Sequence, residues 1–418
     1  MVSPASRLML VLPVPLYRSG GRLFFDTQAC NGLRLWLDNF DAVTLMCPLI
    51  ETPAPPPATS DLRALLPTDR LEVIPLPATW TPHRFAFALP GTRRVLREVM
   101  ERSTHLQFAI GGLWGDWGAV AALMAARDGR EAAVWTDRVE SEVMRQDALR
   151  HHGAKRLYRC LNAALTRRFE RHVIARSAMG LFHGADTYEA YARYCRSPHL
   201  MHDIHLGPEA RIDPAELSAK LSRRDGPLRC VYGGRAHPDK GVLDWVETGA
   251  LLAQAGVDFV ATWHGDGPDL EAARARVRAL GLEARISFPG PTEDHAALMA
   301  EFRAADLFMF CHRTPESPRC LVEALLSGSP IVGYDSAYPR DLIAQHGGGL
   351  LTPHDPSALA RAIVGLARDR SAVARLAASA AQDGYPHVDV VVFRHRSDLI
   401  KTLRSGRDGQ PAPFDRIG

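Results

Sequence analysis

The sequence predicts two successive α/β domains, each a parallel sheet with crossover helices. Three observations carry this. Short apolar runs alternate with longer amphipathic stretches along the whole chain, the pattern of buried strands and returning helices. A chain of 418 residues suits two or three domains at roughly 100–200 residues each. Third, GPEARIDPAELSAKLSRRDGP (207–227) breaks the alternation with proline, glycine and charge. The expected division is a first domain over 1–207, a linker over 208–227 and a second domain over 228–385. Residues 386–418 are a closing helix that returns to the first domain, followed by a loose tail.

In the first half the strands are expected at LMLVLPVP (8–15), AVTLMCPL (42–49), LEVIPL (71–76), QFAIGG (107–112), AAVWTD (132–137), MGLFHG (179–184) and HLMHDIHL (199–206). Each is short, apolar and bounded by turn residues. ETPAPPPATSD (51–61) is a proline-rich loop. One long helical stretch is predicted from Val139 to Ser177.

The second half is more regular. LRCVYGG (228–234) is a strand running into a glycine turn, followed by strands DFVATWHG (258–265), RISFPG (285–290), DLFMFC (306–311) and PIVGY (330–334). Asp355 and Pro356 open a helix, the acid as cap and the proline at the first helical position. A last helix is expected over about 390–404.

Composition narrows the function. The 50 basic and 47 acidic residues nearly cancel, leaving +3, too little for a general nucleic-acid coat. Seven scattered cysteines with no CxxC pair argue against a disulfide scaffold or structural zinc site and fit a reducing cytoplasm. No apolar run reaches the ~20 residues of a spanning helix, and LMLVLPVPLY reads as a buried first strand rather than a leader.

Two segments carry chemistry. In VYGGRAHPDKG (231–241) a strand ends at Gly233-Gly234, with Arg235 and then Lys240 beside a helix start. Glycine admits close backbone approach, Arg offers a planar donor fork and Lys a mobile charge, a set suited to a diphosphate. An ordinary strand–turn–helix with solvated cations would use the same residues. In TPESPRCLVEALLSGSPIVGYD (314–335), Glu316 lies in a Pro/Ser loop and Glu323 on the following helix. The first amides of that helix (317–321, including Cys320 and Leu321) face a ligand side. A carboxylate accepts from two vicinal hydroxyls at once, so Glu323 suits a ribose and Glu316 a sugar. Two surface glutamates are the plainer account, but the buried helix and strand that follow aim Glu323 at the carboxyl edge of a sheet. HGDGP (264–268) lacks the third glycine and later acid of a dinucleotide fingerprint. His264 reads as a satisfied strand-end histidine. Trp114 and Trp117 line an acceptor cleft or pack in the core.

Taken in order, GGRxxPDKG, HGDGPDLEAAR, ISFPG, ADLFMFCHRTPESPRCLVEAL and GSPIVGYD resemble the donor-binding half of the family 4 glycosyltransferases, over about 228–380. The resemblance implies the GT-B fold, two Rossmann-like domains facing across a cleft. It implies a retaining, metal-independent enzyme that moves a sugar from a nucleotide-sugar to a glycan or lipid-linked acceptor. It assigns Arg235 and Lys240, with Gly234, to the diphosphate, Glu323 to the ribose, Glu316 to the donor sugar and backbone near Pro289 to the base. It gives Gly20 and Gly21 of PVPLYRSGG the role of a loop closing over the donor. No cofactor beyond the donor and no metal is implied. Two departures stand out. Six residues separate Glu316 from Glu323 where the family has seven, with Pro315 at the expected place. Thr136, Asp137 and Arg138 also stand where the family often has a histidine, so Asp137 is the nearest polar candidate. These departures keep open a catalytically silent sugar-nucleotide binder, or an epimerase on the same fold.

Residues 150–176 hold Arg150, Lys155, Arg156, Arg159, Arg167, Arg168, Arg171 and Arg176 against Glu170 alone. On a helical wheel Leu157, Leu161, Leu165 and Phe169 share a face. This is either a domain helix displaying charge to water or a weak contact for an anionic membrane surface or lipid-diphosphate acceptor.

Overall fold

The computed structural model describes residues 5–66, 69–149, 151–202, 205–292, 294–314 and 317–404. The chain divides into Met1–His205 with Val390–Gly418, and Leu206–Asp389.

In the first unit seven strands run parallel, in the order Leu71–Pro77, Ala42–Glu51, Arg7–Val11, His105–Ala109, Ala133–Thr136, Met179–His183 and Pro198–Met201. Alternate residues face opposite layers, as strand geometry requires. Met9 and Val11 pack under Leu96, Trp117 and Ile174 from the helices Pro82–Arg102, Trp117–Arg127 and Gly153–Arg176. Leu8 and Leu10 meet Leu33 and Trp36 of Thr27–Asn39 and Phe393 of the closing helix Asp389–Thr402.

The expected loop around Gly20-Gly21 is instead a hairpin. Leu16–Ser19 and Arg22–Asp26 pair antiparallel around it, and the glycines take φ of 55° and 75°, as a tight turn between two strands demands. Arg22–Asp26 pairs in turn with Thr59–Asp61 at the end of the proline-rich loop.

The single long helix predicted from 139 is two helices, Glu140–Leu149 and Gly153–Arg176. Gly153, at φ 59°, supplies the left-handed start of the second. Arg150 lies outside the described residues.

The second unit has six parallel strands in the order Ile286–Gly290, Phe259–His264, Leu228–Gly233, Leu307–Phe310, Ile331–Tyr334 and Gly349–Thr352. The last was missed in the sequence because only four residues follow a glycine run.

The linker expected over 208–227 belongs to this unit. Pro214 opens the helix Pro214–Ser222, capped by Asp213, rather than breaking the chain. Ile212 is buried and its amide donates to Leu326 O at 2.8 Å. Lys220 Nζ donates to Ser329 Oγ at 2.7 Å, and burial pushes its ammonium down to about 7. A helix whose polar face is anchored this way carries too little apolar signal to be read from sequence.

Candidate donor site and N-terminal cavity

The second sheet reverses its strand order between Leu228–Gly233 and Leu307–Phe310. Connections leave to opposite faces there, so the loops at the carboxyl edge part and open the usual ligand position of an α/β sheet. Arg235 and Lys240 stand on the loop after the first of these strands. Glu323 stands on the helix Arg319–Leu326 that follows the second.

The glycines make the loops interlock. Gly234 N–H donates to His264 O at 2.9 Å, and Ala236 N–H to Asp266 O at 2.9 Å. A Cβ on Gly265 would stand 2.0 Å from Gly234 O, so the HGDGP glycines are needed for loop-on-loop packing. Gly241, at φ 67°, ends the turn Pro238–Lys240; a Cβ there would meet Cys311 O at 2.2 Å. The cation-bearing loop is thereby seated on the start of the loop after Leu307–Phe310. Arg313 N–H adds a bond to Asp239 O at 2.8 Å.

Within this frame Arg235 is exposed, and its guanidinium has no partner among the described residues. Lys240 is half-buried and close to His312. His312 is buried, shares a 2.7 Å hydrogen bond with Tyr232 Oη, and is pushed down to about 3 by burial and by the Lys240 charge. A neutral imidazole beneath a lysine is a feature sequence reasoning missed. Its only signal was a histidine directly after a strand.

Glu323 is buried to 6% exposure. Its Oε1 accepts from His295 Nε2 at 2.9 Å and forms an ion pair with Arg319, whose Nε lies 2.7 Å away. One oxygen is held while the other has no partner among the described residues. His295 was also missed; it lies on another helix, His295–Ala304, with no spacing relation to Glu323.

The helix Arg319–Leu326 starts at Pro318 with no side-chain cap, which leaves its first turn with the amide donors a helix N-terminus presents. Two expectations change here. Leu321 is wholly buried, and its amide already donates to Pro318 O at 3.2 Å, so it is a core residue and not a ligand donor. Cys320 is half-buried. Pro289 is exposed beside Phe288, whose carbonyl accepts from Arg274 Nη2 at 3.0 Å. Glu316 lies outside the described residues. His264 is half-buried with Nε2 unpartnered, unlike the satisfied histidine expected.

The first unit holds a cavity of about 510 Å³ beside the sheet's carboxyl edge. Asp137 lines it, with Asp26, Gln107, His183, His205 and Arg396. Gln107 is 1% exposed and its Oε1 has no hydrogen-bond partner. The Arg396 guanidinium lies 4.0 Å from the Trp135 ring centre and 4.8 Å from that of Trp36. Gly20 and Gly21 are not part of this cavity; with Arg18 and Glu51 they border a separate shallow pocket. Trp117 is core, its Nε1 donating to Pro77 O at 2.8 Å, while Trp114 is exposed. Among the described residues no group of three or more His, Cys, Asp or Glu is placed to hold a metal ion.

Residues 227–369 match the family model described as glycosyl transferases group 1. A 2-deoxystreptamine glucosyltransferase of Streptomyces kanamyceticus is 31% identical over 157 residues, 37% of this chain and 40% of that protein. The match therefore spans about two fifths of that relative's length. Solved structures cover far more. The Anabaena protein HepE, in complex with UDP, matches with a TM-score of 0.60 at 18% identity over 95% of this chain and 100% of its own. WaaG, a glycosyltransferase involved in lipopolysaccharide biosynthesis, matches with a TM-score of 0.54 at 15% identity over 94% and 99%. The chain has the GT-B fold of two Rossmann-like domains, and its residues 227–369 are similar to the group 1 glycosyl transferases.

Proposed function

We propose that this protein is a retaining glycosyltransferase that moves a sugar from a nucleotide-sugar to a glycan or lipid-linked acceptor of bacterial surface polysaccharide or glycolipid assembly. The observation that carries the reading is the arrangement at the switch point of the second sheet. A cation pair follows one central strand, and an uncapped helix carrying a held carboxylate follows its neighbour.

Arg235, Lys240 and the first turn of Arg319–Leu326 hold the diphosphate. Charge builds on that leaving group as the glycosidic bond breaks, and fixed cations and amides stabilise it without reorganising. Glu323 takes the ribose diol with its open oxygen. Backbone near Pro289 takes the base, Glu316 faces the sugar, and Asp137 meets a hydroxyl from the first unit. The acceptor occupies the first unit's cavity, where the open Gln107 carbonyl calls for a hydroxyl or ammonium donor. The setting is cytoplasmic, at the membrane face when the acceptor is lipid-linked. A second reading of the acceptor, a small aminocyclitol, is favoured by the 2-deoxystreptamine named for the matched relative and by the acidic lining from Asp26 and Asp137.

A thermal-shift screen of nucleotide-sugars, followed by turnover, tests the proposal. A donor at about 100 times its dissociation constant adds about 2.7 kcal/mol. The expected result is stabilisation by one donor class, then nucleoside-diphosphate release with a glycosylated acceptor. Stabilisation without turnover leaves a sugar-nucleotide binder; isomerised donor without acceptor leaves an epimerase.

A further inference from the structure

We infer that the helix Gly153–Arg176 is a membrane-docking element that lays an outward row of leucines into the surface of an anionic bilayer. The inference names the contact for the membrane-face setting proposed above and rests on that setting.

The second half of the helix is seated in the core through Phe169, Val173 and Ile174, while no helix residue before Ala163 is buried. The residues it buries are Ala163, Thr166, Glu170, Val173 and Ile174, so a hydroxyl and a carboxyl point into the protein. Burial raises the Glu170 carboxyl above its ordinary range. The residues it exposes include Leu157 at 74%, Leu161 at 57% and Leu165 at 47%. These lie at i, i+4 and i+8, one row on a helix surface. Tyr158 flanks them at 64% exposure. A helix that only displayed charge to water would turn this row inward.

Length explains how the row escapes the core. The 24-residue helix spans about 36 Å at 1.5 Å per residue, while the strands beneath it have four or five residues, about 13–17 Å. The helix ends where Met179–His183 begins, so its first half overhangs the carboxyl edge of the sheet. Pro82–Arg102 lies on the same sheet face, ends where His105–Ala109 begins, and so starts at the same end. There the chain exposes Phe87 at 92% and Trp80 at 57%. Apolar and aromatic groups from two segments thus emerge together at one end of the layer.

Charge selects the occupant. Lys155, Arg156 and Arg168 are exposed around the leucine row. Other cations of this helix are committed elsewhere. Arg159 pairs with Asp147, Arg167 approaches Glu142 at 3.9 Å, and Arg171 stacks 4.6 Å from the Tyr194 ring centre. A second copy of the chain docking through this face would set like charges against each other, whereas anionic headgroups neutralise them. Leucines flanked by lysine and arginine, with Trp and Phe alongside, are the composition of an interfacial helix. No helix among the described residues is long and apolar enough to cross a membrane.

The test is co-sedimentation with vesicles of equal parts phosphatidylglycerol and phosphatidylcholine, alongside vesicles of phosphatidylcholine alone. The full chain is compared with Leu157→Ser/Leu161→Ser/Leu165→Ser and with Lys155→Gln/Arg156→Gln/Arg168→Gln. Wild type should pellet with the mixed vesicles, and each variant should lose at least about tenfold in affinity. Binding of the basic variant alone should be insensitive to salt. The leucines are exposed, so thermal melts of the variants should match wild type. Transfer from the donor to a water-soluble acceptor should persist, which separates this inference from the catalytic proposal. Absence of wild-type binding at low salt, or wild-type-like binding by either variant, overturns the inference. So does a concentration-dependent dimer that only the leucine variant abolishes.

Discussion

The diphosphate proposed for Arg235 and Lys240 would meet two kinds of cation: a solvent-facing planar fork, and a half-buried point charge above a neutral imidazole. Replacing either with alanine should lower turnover by about 2–4 kcal/mol, the loss seen when one charge-stabilising donor is removed. Wild-type-like kinetics in both variants would remove the phosphate assignment. At Glu323, the Gln replacement keeps the shape but weakens acceptance from hydroxyls, so donor affinity should fall with the melt unchanged. His295→Ala should weaken the donor less, because Arg319 still holds Oε1. Equal donor affinity in Glu323→Gln and wild type makes this glutamate structural.

His312 sets a pH dependence. The ordinary imidazole titrates near 6.5 and His312 in the folded chain near 3. Between those values the unfolded chain binds more protons. The group's contribution to stability is therefore complete above 6.5 and is lost as pH falls toward 3, with a limiting slope of about 1.4 kcal/mol per pH unit. Denaturant unfolding of wild type and His312→Asn across this range should show a shallower acid loss in the variant. Identical slopes would mean that other groups carry it.

Among the elements, the closing helix Asp389–Thr402 shows how sequence and packing divide the information. Its place in the chain and its return to the first domain were expected from the sequence; the side chains it packs against were not. Phe393 meets Trp36 edge-on at 5.0 Å between ring centres, and Gly32 leaves the room, since a Cβ there would stand 3.3 Å from the Phe393 ring. Phe393→Ala should cost about 3–5 kcal/mol, as large-to-small core changes do. A loss under ~1 kcal/mol in chemical denaturation would mean that the helix is not seated in the first unit's core. The helix Gly153–Arg176 gives the complementary lesson. Its leucine spacing was visible, but periodicity reports a stripe and not which part of it is covered: Phe169 packs on the core, whereas Leu157, Leu161 and Leu165 are exposed. The Gly20-Gly21 hairpin was hidden for a related reason: two glycines mark a turn equally well in a loop or between strands.

For the whole molecule, the parallel strands were legible because strands buried on both faces read as unbroken apolar runs. The candidate donor site could be proposed from the sequence because Gly233, Gly234, Arg235, Lys240 and Glu323 sit within short segments whose order is itself informative. The cavity of the first unit was not, because Gln107, Asp137 and Arg396 come from three distant segments and meet only through the sheet and the returning helix. The linker was misread because its helix is anchored by polar contacts from Asp213 and Lys220.

The central claim is that side-chain cations and helix amides hold the leaving diphosphate. Transfer assayed in excess EDTA, with the donor found in the screen and wild type beside Lys240→Ala, tests it most directly. The account predicts that wild-type transfer survives the chelator and that Lys240→Ala is slower by about 10²–10³-fold. Transfer abolished by EDTA and restored by magnesium or manganese, or a Lys240→Ala enzyme as fast as wild type, would contradict it.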